Sequence, residues 1–340
     1  MKKLFKHYYR PTESEFRKLW QSCFFALDAN VLLNLYGYSE ETREQLLTLL
    51  ERLSSRIFMP FQFVLEYQRN RAHAIIEQVK NYAKAEKILE QFYATEILPR
   101  TKHPHLSQKA MKAFKLIQKE LINGRKKHEA LFADDPYFAR VTSLVQNVGS
   151  PQPDLEKIFE QARRRYTARV PPGYADHKEK GEPEGFGDYV GWLQLLNFAK
   201  DSKKSAILIT DDSKEDWWQI QGDRTIGPRP ELLAEFQSEC SQAFYMYSSD
   251  QFMRFANTFL KERVRNTAIL EVQEGLQERL RSRSDRKSIA SASIQPASDD
   301  KPILPIPPLE GQNLKPTVSE DERKEQKQAA KALKEEPKRG

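Results

Sequence analysis

The sequence predicts an α/β protein: a three-layer α/β/α arrangement around a mostly parallel sheet, with a helical insertion and a disordered C-terminal tail. Three observations carry this expectation. Two short apolar runs, Cys23–Leu27 and Ala206–Thr210, are continuous rather than alternating, as in strands buried on both faces of a parallel sheet. Helical patterns separate the strand candidates, as crossover connections require. The composition also changes near Arg281, after which Ser, Pro, Lys and Glu dominate and large apolar residues thin out. Such a segment cannot offset its ordering entropy by burial.

The elements follow in order. The Cys23–Leu27 run ends at Asp28. A helix is expected from about Ser39 to Leu53, with Ser39 as cap and Glu40 and Glu41 in an acidic first turn. Arg56–Met59 reads as a second strand, stopped by Pro60. Helical spacing then runs from about Gln62 toward Leu98 and again from Ser107 to Asn123, which predicts a helical hairpin beside the sheet. Residues 124–152 are mixed, and a helix spans Asp154 to Tyr166. Pro171 to Gly187, rich in Gly, Pro and charge, reads as a loop. A helix runs from Asp188 to about Lys200, and Ala206–Thr210 is the clearest strand. A helix at Pro230–Cys240, a strand at Phe244–Tyr247 and a helix from Ser249 to about Arg265 or beyond complete the pattern. The expected organisation is a domain over residues 1–265 with its insertion at about 70–165, a helical extension over 266–282, and a disordered tail over 283–340.

The chain has 340 residues, a formal charge of +7 and 39% hydrophobic residues, enough for one large α/β domain. The positive charge suits a polyanionic partner without requiring one. Cys23 and Cys240 read as reduced structural thiols, not a disulfide framework. Met1–Arg10 is basic but no apolar stretch follows it, so no secretory signal is read there, and no run is long enough to span a bilayer. A soluble cytoplasmic protein is the expectation.

Sites in open α/β sheets form at the carboxyl ends of the strands. Asp28 and the Asp211/Asp212 pair follow strands, while Glu66 and Asp188 sit near the starts of helices. All can converge on one sheet edge. Clustered carboxylates repel unless a cation binds, and Mg²⁺ and Mn²⁺ prefer such oxygen ligands. A metal held this way activates water and stabilises displacement at a phosphodiester. Each residue has an ordinary alternative: Asp28 and Asp188 as helix caps, Glu66 as a surface or first-turn residue, and Thr210-Asp211-Asp212 as a turn. Their consistent order on alternating elements favours the functional reading.

The segments Ala26-Leu27-Asp28-Ala29-Asn30-Val31 and Val64-Leu65-Glu66-Tyr67 are followed by Pro171-Pro172-Gly173-Tyr174, Gly187-Asp188-Tyr189 and Ile209-Thr210-Asp211-Asp212. Together they resemble the PIN-like nuclease superfamily, particularly its bacterial branch with a large helical insertion. The resemblance spans roughly residues 20–260. It implies a flavodoxin-like fold and a metal-dependent endonuclease, usually acting on RNA, with Mg²⁺ or Mn²⁺ as cofactor. It assigns metal carboxylates to Asp28, Glu66 and Asp188, and a fourth to Asp211 or Asp212, with Asp212 preferred. Catalysis then rests on Asp28, Glu66, Asp188 and Asp212. Around them it suggests Asn30 orienting Asp28 or a nearby water, Asp176 and Lys178 facing the site with the lysine suited to phosphate, Thr210 beside the acids, and Asp216 as an outer contact. The insertion between Glu66 and Asp188 exceeds that of compact toxin-type members, which leaves the substrate class open. A defence or toxin role, a regulatory protein partner and a homo-oligomer are all compatible with it.

Other features read as ordinary. His73, His103, His105 and His128 lack ligand spacing, and His177 stands out only by its neighbours. Trp217-Trp218 reads as core, with base stacking as the alternative. Arg125-Lys126-Lys127 and Arg163-Arg164-Arg165 read as solvated, with phosphate grip as the alternative. A noncatalytic nucleic-acid- or protein-binding scaffold competes with the nuclease reading. An aspartyl-phosphate enzyme is disfavoured, because its second aspartate would stand where Asn30 does.

Overall fold

A computed structural model describes residues 1–292 apart from positions 2–3, 100, 147, 152–153 and 223, with backbone alone from 283. The expected tail beyond 292 lies outside the described residues.

The sheet has four parallel strands, β1 (Phe24–Leu27), β2 (Ile57–Phe58), β3 (Ala206–Ile209) and β6 (Phe244–Tyr247), in the order β2-β1-β3-β6. Every residue of β1 and β3 is buried, as their unbroken apolar runs require. Alternate side chains serve the two faces. Phe25 packs with Trp20 of α1 (Glu13–Ser22) and Phe252 of α11 (Ser249–Phe259). Phe24 packs against Phe58 and against Phe198 of α9 (Gly187–Ser202). Aromatic truncation here would cost about 3–5 kcal/mol.

Between β1 and β2 lie α2 (Ala29–Leu33) and α3 (Glu40–Arg52), with Ser39 capping α3 through its hydroxyl. After β2 come α4 (Phe61–Phe92), a π-helical turn at Tyr93–Ile97, and α5 (Gln108–Ala130), which packs along α4. The hairpin is therefore present, and α5 runs seven residues past the expected Asn123. The mixed stretch after it contains α6 (Pro136–Leu144) and a bridge between Met59 and Val148. Next comes α7 (Leu155–Thr167).

Two expectations need correction, and one element is not anticipated by the sequence. The supposed loop from Pro171 contains α8 (Tyr174–Lys180) and a 3₁₀ turn at Glu184–Phe186. Its Gly and Pro residues flank short helices rather than an irregular coil. The helix from Ser249 stops at Phe259, and α12 (Asn266–Ala292) follows as a separate helix reaching past the expected boundary at 282. Finally, an antiparallel hairpin of β4 (Trp218–Gln221) and β5 (Arg224–Pro228) projects after β3, before α10 (Pro230–Cys240). Cys23 and Cys240 are both buried free thiols. Among the described residues no helix is long and apolar enough to cross a membrane.

Candidate active site

The register of β1 and β3 pairs Leu27 with Ile209, so Asp28 and Thr210 leave the sheet side by side. Asn30 Nδ2 and Thr210 Oγ1 each donate to Asp28 Oδ2 at 2.6 Å. Thr210 Oγ1 also accepts from the Asp212 amide at 3.0 Å. One hydroxyl thus ties the two strand ends together and sets the direction of the next two residues.

Those two residues diverge. Asp211 turns to α11: Oδ1 accepts from the Ser249 amide at 2.9 Å and Oδ2 from the Ser249 hydroxyl at 2.9 Å and Asn34 Nδ2 at 2.7 Å. Asp212 turns to the other side, where Asp176, Asp188 and Asp212 offer carboxylate oxygens within 4.8 Å of one another. The structure therefore brings Asp176, expected to face the site without being counted among the metal carboxylates, into the closest acidic group, and places Asp211 in a staple between strand end and helix.

The helices deliver the remaining acids. Glu66 lies on the second turn of α4 and accepts from Gln62 Nε2 at 2.8 Å. Helix α9 carries Asp188 and presses its glycines on α4: a Cβ at Gly187 would stand 2.4 Å from Glu66 Oε1, and one at Gly191 2.3 Å from Phe63. Glycine at these positions lets Asp188 approach Glu66. Gln194 Oε1 accepts from the Gln62 amide at 2.9 Å, which closes an otherwise unmet donor at the start of α4.

Helix α8 is positioned by Asp216. This fully buried carboxylate accepts from the amides of Gly173 and Ala175, both at 2.9 Å. Gly173 takes φ +99°, a left-handed conformation in which a Cβ would meet the Tyr166 hydroxyl at 2.3 Å. Asp176 follows on the first turn, 5% exposed, and pairs with Lys180 and Lys214. Lys214 also pairs with Asp212. Lys178 is exposed, and the lysines that pair with the acids are Lys214 and Lys180.

The electrostatics show one coupled cluster. Burial pushes the Asp28 carboxyl up to about 7, and Glu66 and Asp212 add to the rise. Burial likewise raises Glu66, and it raises Asp188 well above the ordinary carboxylate range, with Asp176, Asp212 and Glu66 adding to the effect on Asp188. Burial alone would raise Asp176, but Lys214 and Lys180 hold it below that range. Burial would lower Lys214, yet Asp188, Asp212 and Asp176 carry it above the ordinary lysine value. Charges this close influence one another strongly only where water is scarce.

The residues fit a hard divalent cation. The donors are carboxylate oxygens alone, as Mg²⁺ and Mn²⁺ prefer. Asp188 Oδ2 is buried without a hydrogen-bond partner among the described residues, a costly arrangement unless something else satisfies it.

Other candidates settle elsewhere. Arg163, Arg164 and Arg165 pair with Glu182, Glu160 and Glu235, and Arg125 with Glu86 and Glu129, so these arginines are committed to intramolecular pairs. His177 stacks on Phe186 with ring centroids 5.1 Å apart, and His128 lies within hydrogen-bond reach of two backbone carbonyls. Trp217 and Trp218 are both buried, Trp218 where it lines a cavity beside Asp212. The sequence marks Lys214 only by its place two residues after Asp212, in the segment that follows β3.

No curated protein and no solved structure matches the chain. A family model described as a PIN like domain matches residues 24–232. That span runs from β1 to α10 and takes in Asp28, Glu66, Asp176, Asp188, Asp212 and Lys214. Covered over more than half its length, the chain belongs to the PIN-like domain family.

Proposed function

We propose that the protein is a divalent-metal-dependent endonuclease of the cytoplasm that hydrolyses phosphodiester bonds, with RNA ahead of DNA as substrate. The observation that carries this reading is the Asp176–Asp188–Asp212 group, whose oxygens lie within 4.8 Å of one another and include a partnerless buried oxygen of Asp188. Asp176, Asp188 and Asp212 would hold Mg²⁺ or Mn²⁺, with Asp28 and Glu66 beside them. Such an ion supplies Lewis acidity and an activated water. Asp28, raised to about 7, can take up a proton near neutral pH. Asn30 and Thr210 hold that carboxylate by one oxygen, leaving its direction fixed. Lys180, whose side chain is 55% exposed, presents positive charge to an incoming phosphate. RNA is placed first because the PIN-like resemblance implies it.

The test is cleavage of labelled single-stranded RNA, single-stranded DNA and duplex DNA with Mn²⁺, Mg²⁺ or EDTA, by wild type and Asp28→Asn. Metal-dependent cutting lost in the variant is expected. A second reading, a noncatalytic nucleic-acid- or protein-binding scaffold, is favoured by one observation: Lys214 already bridges Asp176 and Asp212 and offsets their charge from within. RNA binding indifferent to EDTA, with no cutting of any substrate, would select that reading instead.

A further inference from the structure

Asp212 and Lys214 also line a cavity of about 370 Å³. This volume lies in the range of roughly 300–1,000 Å³ found for small-ligand sites. The remaining walls mix chemistries, with Asp211 adding a second carboxylate and Thr210, Ser213 and Ser248 adding hydroxyls. Trp218, Leu276 and Leu280 supply apolar surface, Thr225 and Gln251 supply an uncharged hydroxyl and amide, and Arg279 supplies a charge.

The walls are held by parts already described. Trp218 Nε1 donates to the Asp212 carbonyl at 2.5 Å, which fixes the indole relative to the acid. Leu276 and Leu280 stand four residues apart on α12, hence on one face of that helix. Leu280 is 47% exposed, an apolar side chain left open at the rim of a charged site. Between them Arg279 lies close enough for its charge to oppose the rise of the Asp211 carboxyl. A slot with three apolar side chains set among polar and charged groups suits a flat ligand that is apolar on its faces and polar at its edges. Next to a carboxylate cluster fitted to a phosphodiester, the ligand of that description is a nucleobase.

We propose that this cavity is a base subsite, which takes the base of a nucleotide adjoining the phosphodiester at Asp176, Asp188 and Asp212. The subsite rests on the nuclease reading and adds to it: α12 becomes a wall of the substrate site, and Leu280 and Arg279 become substrate-contacting residues.

The test uses the full chain carrying Asp28→Asn, a short dye-labelled single-stranded RNA, and the same RNA made abasic along its length, which keeps sugar and phosphate. Binding is read by fluorescence anisotropy with Mn²⁺ present, before and after Leu280→Asp and, separately, Arg279→Ala. Both positions are solvent-exposed, so the variants should fold. Leu280→Asp is expected to weaken binding of the base-bearing strand about tenfold, about 1.4 kcal/mol, through lost apolar contact between the leucine and the base. The abasic strand should change less than about twofold with Leu280→Asp. Arg279→Ala should also weaken the base-bearing strand more than the abasic one. Equal losses on both strands, no loss on the base-bearing strand, or no RNA binding at all would overturn the subsite. Mn²⁺ uptake by the wild-type chain, read in parallel by electron paramagnetic resonance, separates the two readings. A chain that takes up Mn²⁺ but ignores the base loses the subsite alone, whereas one that takes up none loses the metal-dependent site as well.

Discussion

Asp211 and Asp212 are chain neighbours of identical chemistry at the end of one strand, yet they meet opposite surroundings. Asp211 has both oxygens engaged by neutral donors, Ser249 and Asn34, and joins the β3 end to α11. Asp212 faces two further aspartates and a lysine. On the Asp211 side the charge is met by complete hydrogen bonding, which is how a structural carboxylate is stabilised. On the Asp212 side acids outnumber cations, and the Asp188 oxygen is left without a donor. Both Asp212 oxygens are also engaged, by the Lys214 amide and ammonium, so the stapling carboxylate differs from the metal-ready one in the company of further acids and of an Asp188 oxygen without a donor.

The largest effect that would sharpen this contrast is loss of metal binding. Losing a group that supports a metal ligand typically costs about 10–100-fold in metal affinity, so removing a ligand in Asp188→Asn or Asp212→Asn should cost more than about 100-fold. Isothermal titration with Mn²⁺ reads this directly; an affinity within a few fold of wild type would break the contrast. Next is Asp216→Ala, which frees the amides of Gly173 and Ala175 and lets α8 carry Asp176 out of position. A loss of roughly 10–100-fold in Mn²⁺ affinity is expected, with helix content nearly unchanged by circular dichroism.

Asp211→Ala should act on the other side of the comparison. Leaving the Ser249 and Asn34 donors unmet should cost about 1–3 kcal/mol in chemical denaturation, with metal affinity changed little. A variant that keeps its stability but loses metal would reverse the assignment of the two aspartates. The smallest effect is in pH dependence. Burial raises Asp28 from an ordinary 3.8 to about 7. A raised carboxyl favours the fold while protonated, so that contribution is complete below about pH 4 and is lost as pH climbs through about 7. Metal-free wild type should therefore lose stability relative to Asp28→Asn over this window, as read by thermal melts at stepped pH. A constant difference would mean that Asp28 is solvated.

The sequence reveals the strand ends because a buried parallel strand leaves an unbroken apolar run, and both Cys23–Leu27 and Ala206–Thr210 stop at or just before acids. Helix α3 is legible from the Ser39 cap, and the α4–α5 hairpin from its spacing. Helix α1 escapes notice although Thr12 and Glu15 form a capping box, a signal readable as Thr-x-x-Glu. Helix α8 hides because Gly173 and Gly181 flank only seven residues, too few to show a period. Asp176 and Lys214 are concealed for a related reason. Their importance comes from contacts across nearly forty residues of chain, which no local pattern encodes. The β4–β5 hairpin turns at Gly222 between Gln- and Arg-containing strands with little alternation, so its period-2 signal is weak.

The most direct measurement is the Mn²⁺ electron paramagnetic resonance titration of wild type, Asp211→Asn and Asp212→Asn side by side. If the acid rim at the strand ends holds the ion through Asp212, wild type and Asp211→Asn bind alike and Asp212→Asn loses the bound signal. Binding retained by Asp212→Asn and lost by Asp211→Asn would contradict it.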